Sequence, residues 1–255
     1  MAFPQTRLTL IERLAAGGGG HTDWWEFLQD YWGPVCRFAR QRGNLSVEDA
    51  EDVASETLEA IVKNDLLSRW SADRSAKLRT LICTVVLNIL ANRARVAAGR
   101  ENLLRDHGGQ LDRYLDDSVF DSAEASIEMF DAFYAAWADD LLSHAIEGLL
   151  AEYNQVGKGD YFRVLYGRIC EEMAFAEIAA ALKLTPAAAE AHFRQAKERL
   201  TERMQDLLRW QIRRYSTADQ VDAEIDVEWG RLGDYLRDHG GLESAVRRAY
   251  GAEAV

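Results

Sequence analysis

The chain has 255 residues, is 48% hydrophobic and 28% charged, and carries a formal net charge of −12. That much apolar side chain supports one large core or two small ones, and the charge argues against embedding in a membrane. An acidic total also argues against general DNA binding, which rests on lysine and arginine displacing counterions from phosphates, so any DNA contact is expected to be local or to need help from a partner.

Residues 1–20 read as an N-terminal extension. FPQTRLTLIERLAA is a short helical entry, interrupted by Arg7, Glu12 and Arg13 and so lacking the apolar core of a signal peptide. The glycines at Gly17 to Gly20 mark a joint. Amphipathic helical spacing then dominates the chain, no segment alternates with period two for long, and the expected class is all-α. HTDWWEFLQDYWGPVCRFARQR places Trp25, Leu28 and Trp32 at spacings of three and four, which reads as core packing. Pro34 is expected to start a second helix, where its missing N–H costs nothing, with Val35, Phe38 and Ala39 as the apolar face.

Ser46 is a good N-cap, and Glu48, Asp49, Glu51 and Asp52 follow it in the first turns, where acids suit the helix dipole. Ala50, Val53, Ala54, Thr57, Leu58 and Ile61 form the expected buried stripe, leaving Asp49, Asp52, Ser55, Glu56 and Glu59 outside. Spacing alone makes that outer face an ordinary solvated surface. LLSRWSADRSAKLRT reads as a loop, and LICTVVLNILANRAR as a helix. Its run Leu81 to Leu87 is far shorter than the ~20 residues that span a bilayer. Between Arg74 and Arg105 lie Lys77, Arg79, Arg93, Arg95 and Arg100 against Glu101 alone, a positive island on a negative molecule.

Residues 106–123 are acidic, with Gly108 and Gly109 near their start, and read as an interdomain linker, with helix resuming near Glu124. Leu141 to Tyr153 and Tyr161 to Cys170 read as two further helices. Phe175 to Leu200 carries Ile178, Ala179 and Leu182 on one face, a tight turn at Lys183-Leu184, and Thr185-Pro186 as an N-cap with proline at the first helical position. Ala189, Phe193, Ala196 and Leu200 form the inner face of its second helix, and small alanines permit a close crossing. The outward side shows Glu190, Ala191, Arg194, Gln195 and Lys197. Arginine, glutamine and lysine there suit base edges or phosphates in a major groove, and a plain helical hairpin is the alternative. Residues 215–255 form an acidic extension in which Ile225, Trp229, Leu232 and Leu236 make an amphipathic stripe, expected to pack back on the second domain.

Catalytic patterns are missing from the sequence. His21, His107, His144, His192 and His239 pair at ligand spacing neither with each other nor with a cysteine. There is no phosphate-binding glycine loop and no nucleophile elbow. Cys36, Cys83 and Cys170 sit far apart among apolar neighbours and read as buried thiols in a reducing, cytoplasmic compartment. No enzyme activity, metal or cofactor is expected.

Taken in order, these segments resemble the bacterial RNA polymerase sigma factors of the extracytoplasmic-function group, over roughly Phe3 to Tyr215. DAEDVASETL resembles the D-A-E-D-L-x-Q-E-x-F of sigma region two, which binds the polymerase clamp. SADRSAKLRTLI resembles the promoter-melting loop, and LNILANRAR the N-x-x-x-N/D-x-x-R helix that faces the −10 element. AEIAAALKLTPAAAEAHFRQAKERL resembles the region-four helix-turn-helix. The likeness implies a region-two domain over residues 21–105, the linker over 106–123, and a region-four domain over 124–214 with its helix-turn-helix at 175–200. It implies contact with core RNA polymerase through Asp49, Asp52, Val53 and Glu56. At the −10 promoter DNA it implies Ser71, Asp73, Arg74, Arg79, Asn88, Asn92, Arg93 and Arg95. At the −35 DNA it implies Glu190, Ala191, Arg194, Gln195 and Lys197. An anti-sigma factor or other regulator is a further partner the resemblance admits; a membrane is not. Ser55 and Leu58 stand where the family has glutamine and an aromatic, and Glu190 and Gln195 where it has basic residues. These departures imply weak −35 affinity or a different −35 sequence. The alternatives are a stand-alone helix-turn-helix regulator and a sigma-like binding module that does not initiate.

Overall fold

The computed structural model describes residues 10–17, 19–72, 78–103, 123–216 and 220–251. Regular structure among the described residues is α-helical throughout, and no described helix is long and apolar enough to cross a membrane. The chain divides into two compact units, residues 1–137 and 138–255.

The first unit holds α1 (Leu10–Ala15), α2 (His21–Gly43), α3 (Val47–Lys63), α4 (Leu66–Ala72), α5 (Leu78–Leu103) and the start of α6 (Ala123–Gln155). Contrary to the expected break, α2 runs through Pro34 without interruption. Proline inside a helix costs about 3 kcal/mol through the lost hydrogen bond and ring clash. Pro34 lies on the buried side with Phe27, Tyr31, Val35 and Phe38, and burial of that face offsets the cost. The same register corrects the tryptophans. Trp25 and Trp32 are 55% and 38% exposed, while Phe27, Val35 and Phe38 are at most 1% exposed.

Ser46 caps α3 by accepting a hydrogen bond from the Asp49 amide at 3.1 Å. The buried residues of α3 are Ala50, Val53, Ala54, Thr57, Leu58 and Ile61, the stripe that the spacing marks out. Thr57 meets its buried hydroxyl's need by donating to the Val53 carbonyl at 2.7 Å. The expected loop after α3 is partly wrong, since Leu66–Ala72 is helical. Leu66 and Leu67 are buried, and the Ser68 hydroxyl donates to the Ala15 carbonyl at 2.5 Å, which ties α4 to α1. In α5, burial reaches Leu78, Ile82, Cys83, Val85, Val86, Leu87 and Ile89, and the helix packs on α3 and α2. Burial pushes the Cys83 thiol up to about 12. All three cysteines are free thiols; Cys83 is buried, but Cys36 and Cys170 are only partly so.

The expected linker, residues 106–123, lies outside the described residues except for Ala123, the first residue of α6. The division between units falls inside α6, between Trp137 and Ala138, rather than at the linker. The reason is packing: Phe133, Tyr134 and Trp137 are buried, and the Phe133 ring meets Phe38 of α2 edge-on at 5.3 Å.

The second unit holds the rest of α6, α7 (Gly159–Ile169), α8 (Phe175–Leu182), α9 (Pro186–Tyr215), α10 (Val221–Asp238) and α11 (Gly241–Gly251). Val164, Ile178, Ala179 and Ala189 form a core with Phe175, Leu182, Leu184 and Phe193 around it. Glu152 of α6 ties α9 down, accepting from Arg199 Nε at 2.9 Å and Arg203 Nη1 at 2.5 Å. Those partners, Arg199 first, hold its carboxyl below the usual range. Gly148 allows the close approach, because a Cβ there would lie 2.1 Å from Arg203 Nη2. As expected, α10 packs on α9, with Leu232 of its stripe buried.

His144 makes this unit sensitive to pH. Its Nδ1 lies 3.3 Å from a carboxylate oxygen of the buried Asp140 and 2.9 Å from the Asp140 carbonyl. The hydrogen bond to the carboxylate raises the imidazole from 6.5 to about 9. A raised folded value means the stabilisation is complete below about pH 6.5 and is lost as pH rises through about 9. The side chain is 58% exposed, so solvent screening keeps the effect under about 1 kcal/mol. Chemical denaturation across this window should show stability falling in the parent and a flatter profile in His144→Gln.

Candidate nucleic-acid interface

The proposed polymerase-facing residues lie on α3, but not all on its surface. Asp49, Asp52 and Glu56 are exposed. Val53 is fully buried in the first unit's core, so it anchors the helix and has no surface for a partner. This corrects its place among the contact residues.

The helix α5 carries Asn88, Asn92 and Arg95 at i, i+4 and i+7, a spacing that sets them along one stripe. Both asparagines are partly exposed and Arg95 is exposed. Arg95 Nε donates to the Ala91 carbonyl one turn back at 3.4 Å. Arg93 turns the other way. Its Nη2 and Nε reach the two carboxylate oxygens of Glu56 at 2.7 and 3.3 Å, and Nη1 lies 3.5 Å from the Asp49 carbonyl. This two-pronged geometry suits a guanidinium. The hydrogen bond to Glu56, with the charges of Asp52 and Asp49 behind it, raises the guanidinium further. One proposed DNA contact is therefore joined to a proposed polymerase contact in the same unit.

Arg79, at the start of α5, is also engaged. Its guanidinium carbon stands 4.9 Å from the Tyr134 ring centroid and 5.3 Å from that of Trp137, a cation–π arrangement. Its role in the structure described is to hold the start of α6 to α5, and a phosphate would have to compete for it. Ser71 is partly buried at the end of α4. Asp73 and Arg74 lie outside the described residues.

In the second unit, α8 and α9 are joined by the three residues Lys183 to Thr185. Lys183 adopts the left-handed conformation at φ 57, and the Leu184 amide donates to the Ala179 carbonyl at 2.8 Å, closing α8. Thr185 caps α9 by accepting from the Ala188 amide at 3.2 Å, and Pro186 takes the first helical position. Glu190, Arg194 and Gln195 are exposed, and Ala191 and Lys197 are partly exposed. Lys197 Nζ meets Glu243 of α11 at 2.6 Å and stands 5.3 Å from the Phe193 ring.

Glu243 was not among the sequence-predicted residues, and neither was its helix. The signal for α11 was present: Gly240-Gly241 followed by Leu242, Ala245 and Val246 at helical spacing. Nothing local pointed from Glu243 to Lys197. Among the described residues, no group of three or more histidine, cysteine or acidic side chains is placed to hold a metal ion. Searches against protein-family models, curated proteins and solved structures find no match for this chain.

Proposed function

We propose that this chain is a sigma factor of the extracytoplasmic-function kind, which binds core RNA polymerase, directs it to a promoter and helps open the DNA. The observation that carries the reading is the division of polar side chains between the two units. Asp49, Asp52 and Glu56 on α3 and Asn88, Asn92 and Arg95 on α5 belong to the first. The capped α8–α9 pair with Arg194 and Gln195 belongs to the second. On this reading the carboxylates of α3 meet a basic surface of the polymerase, which adds charge complementarity and a faster encounter. The amides of Asn88 and Asn92 hydrogen-bond exposed bases, and Arg95 neutralises a phosphate. Arg194 and Gln195 address the −35 duplex from the major groove. The protein works in the cytoplasm and acts by binding, with no chemistry of its own.

The test is capture of core polymerase by the tagged full-length chain, followed by promoter-directed transcription from the reconstituted complex on a genomic promoter library. Specific transcripts support the proposal. One observation favours a second reading, a sigma-like module that does not initiate: Arg79, Arg93 and Lys197 are held by the chain's own side chains. Capture of core with no transcript from any promoter selects that reading.

A further inference from the structure

The helix α11 brings Glu243 against Lys197 of α9. Its place is fixed by contacts that do not involve Lys197. Ala245 and Val246 are 1% and 3% exposed. Arg247 donates from Nε to the Ile169 carbonyl at 3.0 Å and pairs with Glu172 at 2.7 Å. Arg248 donates to the His239 carbonyl at 3.1 Å. The turn from α10 needs Gly240 and Gly241, at φ +87 and +81, where a side chain would be strained. With α11 so held, the Glu243 carboxylate reaches Lys197 Nζ at 2.6 Å with little further loss of freedom. A carboxylate oxygen at that distance supplies the same contact as a phosphate oxygen.

We propose that α11 is a built-in competitor of duplex DNA, with Glu243 standing in for a backbone phosphate on Lys197 of α9. The inference rests on reading the outward side of α9 as DNA-facing. It gives the acidic extension a role: the free chain holds duplex weakly, and a partner that draws α11 aside would release Lys197. The ion pair is partly solvated, with side chains 34% and 49% exposed, and a pair of that kind is easily exchanged. It is therefore suited to a competition rather than to permanent closure.

The experiment titrates the full-length chain with a short mixed-sequence DNA duplex at several salt concentrations. Glu243→Gln should bind about fivefold more tightly at low salt, and its log K against log salt slope should steepen by about 0.9, the value for one added phosphate contact. The gain should vanish in the Glu243→Gln, Lys197→Gln double variant, with the melting midpoint little changed. A gain that survives loss of Lys197 overturns the proposal. So does equal affinity of parent and Glu243→Gln; if Arg194→Gln then weakens both, the DNA-facing reading of α9 stands. No duplex binding by parent or variant at low salt overturns the proposal and that reading together.

Discussion

Reversing two charges on the outer face of α3, Asp52→Lys with Glu56→Lys, is expected to weaken binding to core RNA polymerase by about 100-fold or more. Both side chains are exposed, and on the proposed function each substitution would bring a lysine against a basic surface of the polymerase where a carboxylate had been. Like charges facing each other across an interface cost several kcal/mol, and each ~1.4 kcal/mol is a tenfold loss. The fold should tolerate the change. The Arg93–Glu56 pair is open to solvent at 31% and 49%, and such pairs contribute about 0–1 kcal/mol. A binding titration with core, paired with a denaturation curve, separates the outcomes. Unchanged affinity would mean that α3 is not the docking face. Lost affinity with a collapsed denaturation midpoint would mean the substitutions act through the fold. Glu56→Gln adds a second readout. It frees Arg93 without reversing a charge, so the loss of core binding should be smaller.

The second large effect concerns stability. Phe133→Ala should destabilise the first unit by about 3–5 kcal/mol, the usual range for deleting a buried aromatic side chain. Phe133 is 1% exposed and its ring meets Phe38 at 5.3 Å. The local effect matters more than the total. Hydrogen exchange in α2 should speed up, while the amides of α8 and α9 keep their protection, because Phe133 belongs to the first unit although most of α6 belongs to the second. Faster exchange in α8 and α9, with α2 unmoved, would place the division elsewhere.

Local rules carried the reading wherever one helix supplied its own evidence. The Ser46 cap and the stripe from Ala50 to Ile61 are written in one stretch of spacing, and the structure has both. The turn at Lys183 to Thr185, with Pro186 after its cap, was equally plain. Pro34 misled because a proline's local preference for a helix start lost to burial of the face it shares with Phe27 and Val35. Trp25 and Trp32 misled for the same reason, since one unbroken register turns them outward. The limit of the α6 division was long-range packing, with Phe133 meeting a ring in α2 that no nearby residue announces. The proposed site shows the same boundary between local and distant information. Helical spacing placed Lys197 on the outward side of its helix and charge counting placed Arg93 in a positive island; neither could pair them with Glu243 and Glu56, which lie 46 and 37 positions away. Charge spacing says which side chains share a face, and only the fold says what already occupies them.

That occupation bears on how an acidic protein would touch DNA at all. With Arg93 on Glu56, Arg79 over two rings and Lys197 on Glu243, three of the cations proposed for DNA are engaged within their own units. On the proposed function, affinity for promoter DNA would come mainly from docking on the polymerase.

The most direct test of the central claim is titration of the intact chain against purified core polymerase, read by comigration on a sizing column. A one-to-one complex that survives the column, and is lost with the Asp52, Glu56 reversal, is the expected result. Separate elution of the two at every concentration, with the chain fully folded, would contradict it.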